Sequence, residues 1–84
     1  MNFQIFWNQL DAGGETEQGD CYHVTDNGRL HLISQGNQNQ HYRITKSTVE
    51  RYFNLLQNGM DQQEFRYRHS AYFCNVYNKI VNEL

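Results

Sequence analysis

Between Arg66 and Leu84 the chain carries more apolar surface than one face of a helix can hold. The stretch reads Arg-Tyr-Arg-His-Ser-Ala-Tyr-Phe-Cys-Asn-Val-Tyr-Asn-Lys-Ile-Val-Asn-Glu-Leu. Phe73, Tyr77, Ile80 and Leu84 recur at helical spacing, and Cys74 and Val81 widen the stripe. Tyr72 and Val76 extend it on the other side, to roughly 200° of arc at about 100° per residue. An ordinary surface helix buries little more than about 100°. This helix must therefore lie between two layers of its own domain or give part of its arc to a partner. Ser70 stands ahead of the first apolar turn, where a hydroxyl can cap the helix.

The rest of the chain has to supply the cover. Eighty-four residues make one domain, 1–84, with one core and little margin. Twelve aromatics provide much of that core, since each can bury about 150–250 Å². With 38% hydrophobic residues and a net charge of −2, the composition does not fit disorder.

Residues 2–11 carry Phe3, Phe6, Trp7 and Leu10 in a helical set, with Asn2 as a cap; alternation of Phe3, Ile5 and Trp7 leaves a strand as the rival reading. Ala12–Gly19, with three glycines and two glutamates, reads as a mobile connector. A β-hairpin follows around Asp26-Asn27-Gly28. A two-residue loop would split Tyr22 and Val24 from Leu30 and Leu32. A three-residue loop with Gly28 left-handed puts all four on one face, and that register is expected. It leaves Ile33 on the outer face without an explanation. After a polar loop at Gln35–Gln40, His41–Thr45 alternates as a third strand with Tyr42 and Ile44 inward.

Ser47-Thr-Val-Glu50 fits a capping box, Val49, Tyr52, Phe53 and Leu56 form a stripe behind it, and Asn58-Gly59 is a stop. Asp61 opens a short helix carrying Phe65. The expected fold is α+β: an N-terminal helix, a three-stranded antiparallel meander near 20–26, 29–34 and 40–45, then helices at 47–58, 61–67 and 70–84 on one sheet face. The expected core is Phe6, Leu10, Tyr22, Val24, Leu30, Leu32, Tyr42, Ile44, Val49, Phe53, Leu56, Phe73, Tyr77 and Ile80.

The last three helices have helix-turn-helix order, as in winged-helix folds. Nucleic acid would then meet the start of the last helix, through Arg66, Arg68, Ser70, Tyr72, Asn75 and Lys79. The arginines and Lys79 suit phosphate, and Asn75 an adenine edge. Charge argues against this. Residues 41–84 hold six basic and four acidic residues, only +2, and the whole chain is acidic. The competing reading is a non-enzymatic interaction module that self-associates through the last helix, with Tyr72 and Val76 at the interface of a homo-oligomer. A helix at the end of the chain is easily placed at an edge, and tyrosine suits such a surface. Alternatively, Tyr72 and Val76 rest on the N-terminal helix against Phe3 and Trp7.

Metal and catalysis have thinner support. The hairpin register opposes His23 and His31 on the outer face, with Cys21 two residues away and His41 on the next strand. These residue types suit zinc, but their spacing matches no zinc motif. Cys21 or Cys74 beside a histidine would be a minimal nucleophile pair, yet Cys74 reads as buried, Cys21 has no orienting acid in a defined position, and Asp20 and Asp26 read as turn residues. The glycines at 13, 14 and 19 lack the lysine and helix of a phosphate loop. No cofactor is expected. With no signal-peptide pattern and no apolar run near 18 residues, a cytoplasmic chain with reduced thiols is the default.

The run Ile44–Gly59, followed by Arg68-His-Ser-Ala-Tyr-Phe73, resembles a pattern in small uncharacterised prokaryotic proteins, some carried in mobile gene cassettes such as those of integrons. The resemblance covers about half the chain. It implies a compact cytosolic bacterial domain, often an oligomer, and transfers no active site.

Overall fold

The computed structural model describes residues 1–34 and 40–84. The elements run α1 (Phe3–Ala12), β1 (Gly14–Glu15), β2 (Asp20–Val24), β3 (Leu30–Ser34), β4 (Gln40–Ile44), α2 (Lys46–Gln57), α3 (Gln62–Phe65), a wide π-type turn (Arg66–Ser70) and α4 (Ala71–Glu83). The expected polar loop falls, apart from Gln40, outside the described residues. The architecture is α+β, as the periodicities require, with one antiparallel sheet in the order β1-β2-β3-β4.

Local chemistry explains most boundaries. Asn2 caps α1, its Oδ1 accepting the Ile5 N–H at 2.9 Å. Asp61 and Ser70 cap α3 and α4 in the same way, at 3.0 Å each. α2 differs: Thr45, in extended backbone, accepts from the Thr48 N–H, so the helix starts before Ser47 and the expected capping box is displaced by two residues. Thr45 wins because the chain leaves β4 extended and turns helical only at Lys46. Gly59 at φ 95° ends α2, and the Met60 N–H reaches the Leu55 carbonyl at 3.0 Å. The expected helix over 61–67 stops at Phe65 and widens into the π-type turn.

The connector expectation fails. Residues 14–15 form the short strand β1, pairing Gly14 with Tyr22 and Glu15 with Cys21, and Thr16–Asp20 closes a tight turn whose Thr16 is buried. Three glycines suggested mobility, but here they let the chain reverse tightly beside β2. The meander therefore has four strands.

The hairpin register is the expected one. Val24 pairs with Leu30, Tyr22 with Leu32 and His23 with His31, around a loop in which Gly28 takes φ 74°. Tyr22, Leu30 and Leu32 face the helices and are buried. Tyr42 pairs with Leu32 and shares their face, yet it is 39% exposed. β4 is the outermost strand, and the helices that seal β2 and β3 do not seal it. Ile44, on the same strand, is half-buried against the core, and so is Val24 at the end of β2 beside the hairpin loop.

α4 covers most of its wide arc internally, with Leu84 at its end left exposed. Phe73 and Tyr77 stack against Phe6 of α1, at 6.0 and 5.8 Å between ring centroids, while α4 also packs on β2 and β3. Val76 and Cys74 have no accessible surface. Burying a valine of this kind contributes about 1.5–3 kcal/mol. Trp7 and Phe65 complete one contiguous core that the sequence-level core list left short.

Candidate functional site

Asp20 is 3% exposed, and its carboxylate anchors a polar chain that crosses the layers. Its Oδ2 accepts from the Thr16 hydroxyl at 3.2 Å and from Asn75 Nδ2 at 2.9 Å. Asn75 Oδ1 in turn accepts from Arg66 at 2.8 Å, and the Asp20 backbone N–H donates to Thr16 Oγ1 at 3.1 Å. A buried carboxylate needs such partners, because desolvation without them is costly. Asp20 is therefore a structural acid in a strand, not the turn residue expected from its neighbours. Asp26 does lie at the exposed hairpin tip.

This network decides where the residues singled out for nucleic acid point. Arg66 and Asn75 bond to each other inside the fold. Ser70 spends its hydroxyl on the α4 cap. Tyr72 stacks on Tyr42, with 5.4 Å between centroids. Lys79 donates to the Tyr22 hydroxyl at 3.2 Å and pairs with Glu83 at 3.1 Å. The Tyr22 bond, then the Glu83 pair, hold its pKa above the usual lysine value despite some burial. Arg68 is exposed and pairs with Glu64 at 3.2 Å. The Tyr72–Val76 interface also changes. Tyr72 is half-buried beside β4, but Val76 has no accessible surface and cannot meet a partner.

The outer sheet face brings three of the four metal candidates together. His23 faces His31 with 4.9 Å between centroids, and His31 Nε2 lies 2.9 Å from His41 Nδ1 in a hydrogen bond. Cys21 sits one row away, opposite Ile33. Among the described residues no group of three or more His, Cys, Asp or Glu is arranged to hold a metal ion. The geometry is that of imidazoles bonding to each other. Partial burial first, then Arg43, His23 and His41, lower the His31 pKa. Cys74 is unsuited to nucleophilic work, since burial pushes its thiol up.

Two hollows remain. The larger, about 540 Å³, lies between the β1–β2 turn and α4, with Glu15, Glu17, Lys79 and Glu83 on its walls. It is open and polar, and its lysine is already committed. The smaller, about 290 Å³, runs along β4 and is walled by Tyr42, Ile44, Tyr52, His69 and Tyr72. There the sheet ends: all of Gln40–Arg43 is exposed, Ile44 is half-buried, and no described strand pairs with the far side of β4. Aromatic walls beside an unpaired strand form a place where backbone and side-chain recognition meet. The alternation of His41–Thr45 located this strand in the sequence. Nothing in one chain's pattern said that it would be the edge.

Comparison with protein-family models, with curated proteins and with solved structures returns no match. The geometry alone carries the functional reading.

Proposed function

We propose that the chain is a non-enzymatic interaction module whose docking surface is the outer edge of β4 with the tyrosine-walled groove beside it. One observation carries this. β4 is a five-residue outermost strand with no proline and no bulge in its register with β3, and its inward tyrosine is left 39% exposed. Edge strands are commonly blunted by brevity, proline, bulges or a covering element. β1, at the opposite edge, is blunted by brevity, with two residues. β4 keeps the length and unbroken register that strand addition uses, and the groove offers a pocket for an alternate side chain of the added strand.

The two other interfaces have less to offer. Self-association through α4 loses Val76. Nucleic-acid contact at the start of α4 would have to break bonds made by Arg66, Asn75 and Lys79 within the fold.

The test is peptide selection from a displayed library, followed by backbone amide shift mapping of the winners. Shifts and slowed exchange should centre on residues 40–44, with side-chain shifts at Tyr52, His69 and Tyr72. A library that yields no binder, or binders that map to α1 or the hairpin tip, would overturn the reading.

A further inference from the structure

We infer that the segment added to β4 is an extended peptide with carboxylates on one face and apolar side chains on the other. This rests on the docking reading above and names its ligand. An added strand continues the pleat, so its residues alternate between the outer face and the groove.

The outer face asks for negative charge. On β2, β3 and β4 it carries His23, His31, His41 and Arg43, with Arg29 continuing the alternation at the start of β3, and no carboxylate. Among the described residues Arg43 has no ion-pair partner. By register the acid on this face is Glu15 of β1, at the far edge. Three strand spacings of about 4.8 Å separate it from β4, more than a Debye length of about 8 Å. Asp26, at the exposed hairpin tip, lies outside the strands. A carboxylate standing beside β4 would lie next to His41 and Arg43, with His31 behind.

The inner face asks for apolar side chains. The groove is walled by three tyrosine rings with Ile44 and Ala71, bordered by Arg43, His69 and Ser70 and by no carboxylate, and the hollow of about 290 Å³ accepts a side chain as large as phenylalanine. A second copy of this chain suits the outer face poorly. A twofold antiparallel pairing centred on Tyr42 would set His41 of one copy against Arg43 of the other and place two basic faces side by side.

The experiment uses fluorescence anisotropy of the full chain with three labelled ten-residue peptides. Each alternates valine with a variable residue and has one central phenylalanine on the valine face; the variable residue is glutamate, serine or lysine. The glutamate peptide should bind roughly three- to tenfold more tightly than the serine peptide, the scale of two exposed ion pairs, and the lysine peptide most weakly. That margin should shrink at high salt and grow from pH 7.5 to pH 6, as His31 gains a proton. Arg43→Gln should lose most of that margin, and Tyr72→Ala should weaken all three peptides. Circular dichroism and a thermal melt establish that both variants fold. Equal binding of the glutamate and serine peptides, mapped to β4, would overturn the acidic preference and leave edge docking standing. No binding by any peptide would sink both. A mass of twice 10.1 kDa by light scattering in the absence of peptide, lost on changing Tyr42 to lysine, would make a second copy the occupant and overturn the inference.

Discussion

Alternate residues of β2 and β3 meet opposite surroundings. Toward the helices stand Asp20, Tyr22, Leu30, Leu32 and Ser34, all buried, and Val24, half-buried at the strand's end. Away from them stand Cys21, His23, His31 and Ile33, at least partly exposed. The register that joins Tyr22 to Leu32 necessarily joins His23 to His31. The inner face is fixed by the space that α1 and α4 leave, and its one charge is tied down by Thr16 and Asn75. The outer face is not needed to close the core, so its imidazoles and arginine are available for another purpose. Chemistry that packing does not explain is where a binding role is best sought.

The sharpest way to test that division is a pair of neighbours. Leu32 is fully buried, and Ile33, the next residue, is half-exposed on the other side. Leu32→Ala should cost about 2–5 kcal/mol in urea unfolding. That is a large part of the roughly 5–15 kcal/mol a domain has. Ile33→Ala should stay below about 1 kcal/mol. Equal costs would mean that something covers the outer face in solution, and the contrast between the faces would be lost.

A smaller effect separates two aspartates. Asp20→Ala strands Asn75 Nδ2 and the Thr16 hydroxyl inside the fold and should cost about 1–3 kcal/mol. Asp26→Ala, at the hairpin tip, should fall within about 0.5 kcal/mol. Thermal melts at one pH compare them directly. A neutral Asp20→Ala would mean that the polar chain from Arg66 to Thr16 adds nothing to the layers it joins.

These pairs also mark how far the sequence could be read. Period-3.6 patterns place α1, α2 and α4; the caps Asn2 and Ser70 are visible because each precedes an apolar run, and Asp61 because Glu64 follows it at capping-box spacing. The hairpin register followed from counting apolar residues per face. β1 was hidden because two residues, one of them glycine, carry no alternation. Asp20 is misread because the partner that ties its carboxylate into the layers, Asn75, lies on α4, and no local pattern reports a bond across 55 positions. Tyr42 was placed on the correct face but taken as buried, since strand order, not strand pattern, decides which strand is the edge. The same gap hid the docking groove. Its walls come from β4, α2, the π-type turn and α4, which only the fold brings together.

The smallest expected effect concerns protons on the outer face. His31 is held below the ordinary imidazole value by partial burial, then by Arg43, His23 and His41. The unfolded chain, with an ordinary histidine near about 6.5, therefore binds this proton more readily than the folded one. Wherever the unfolded state binds more protons, stability rises with pH. The contribution of His31 is thus fully present above the ordinary value and is lost as pH falls through it toward the lower folded value. His31→Gln keeps a polar group beside His41 and removes the titration. Urea midpoints at pH 7.5 and pH 5.5 should drop less between the two conditions in the variant than in the parent chain. The His31 ring is partly exposed, so the difference will be small, and it should shrink further when an acidic peptide lies along β4. A nearby carboxylate favours the protonated imidazole and offsets the repulsion from Arg43. An identical pH response in parent and variant would mean that the His23–His31–His41 row is relaxed by solvent and holds no proton back.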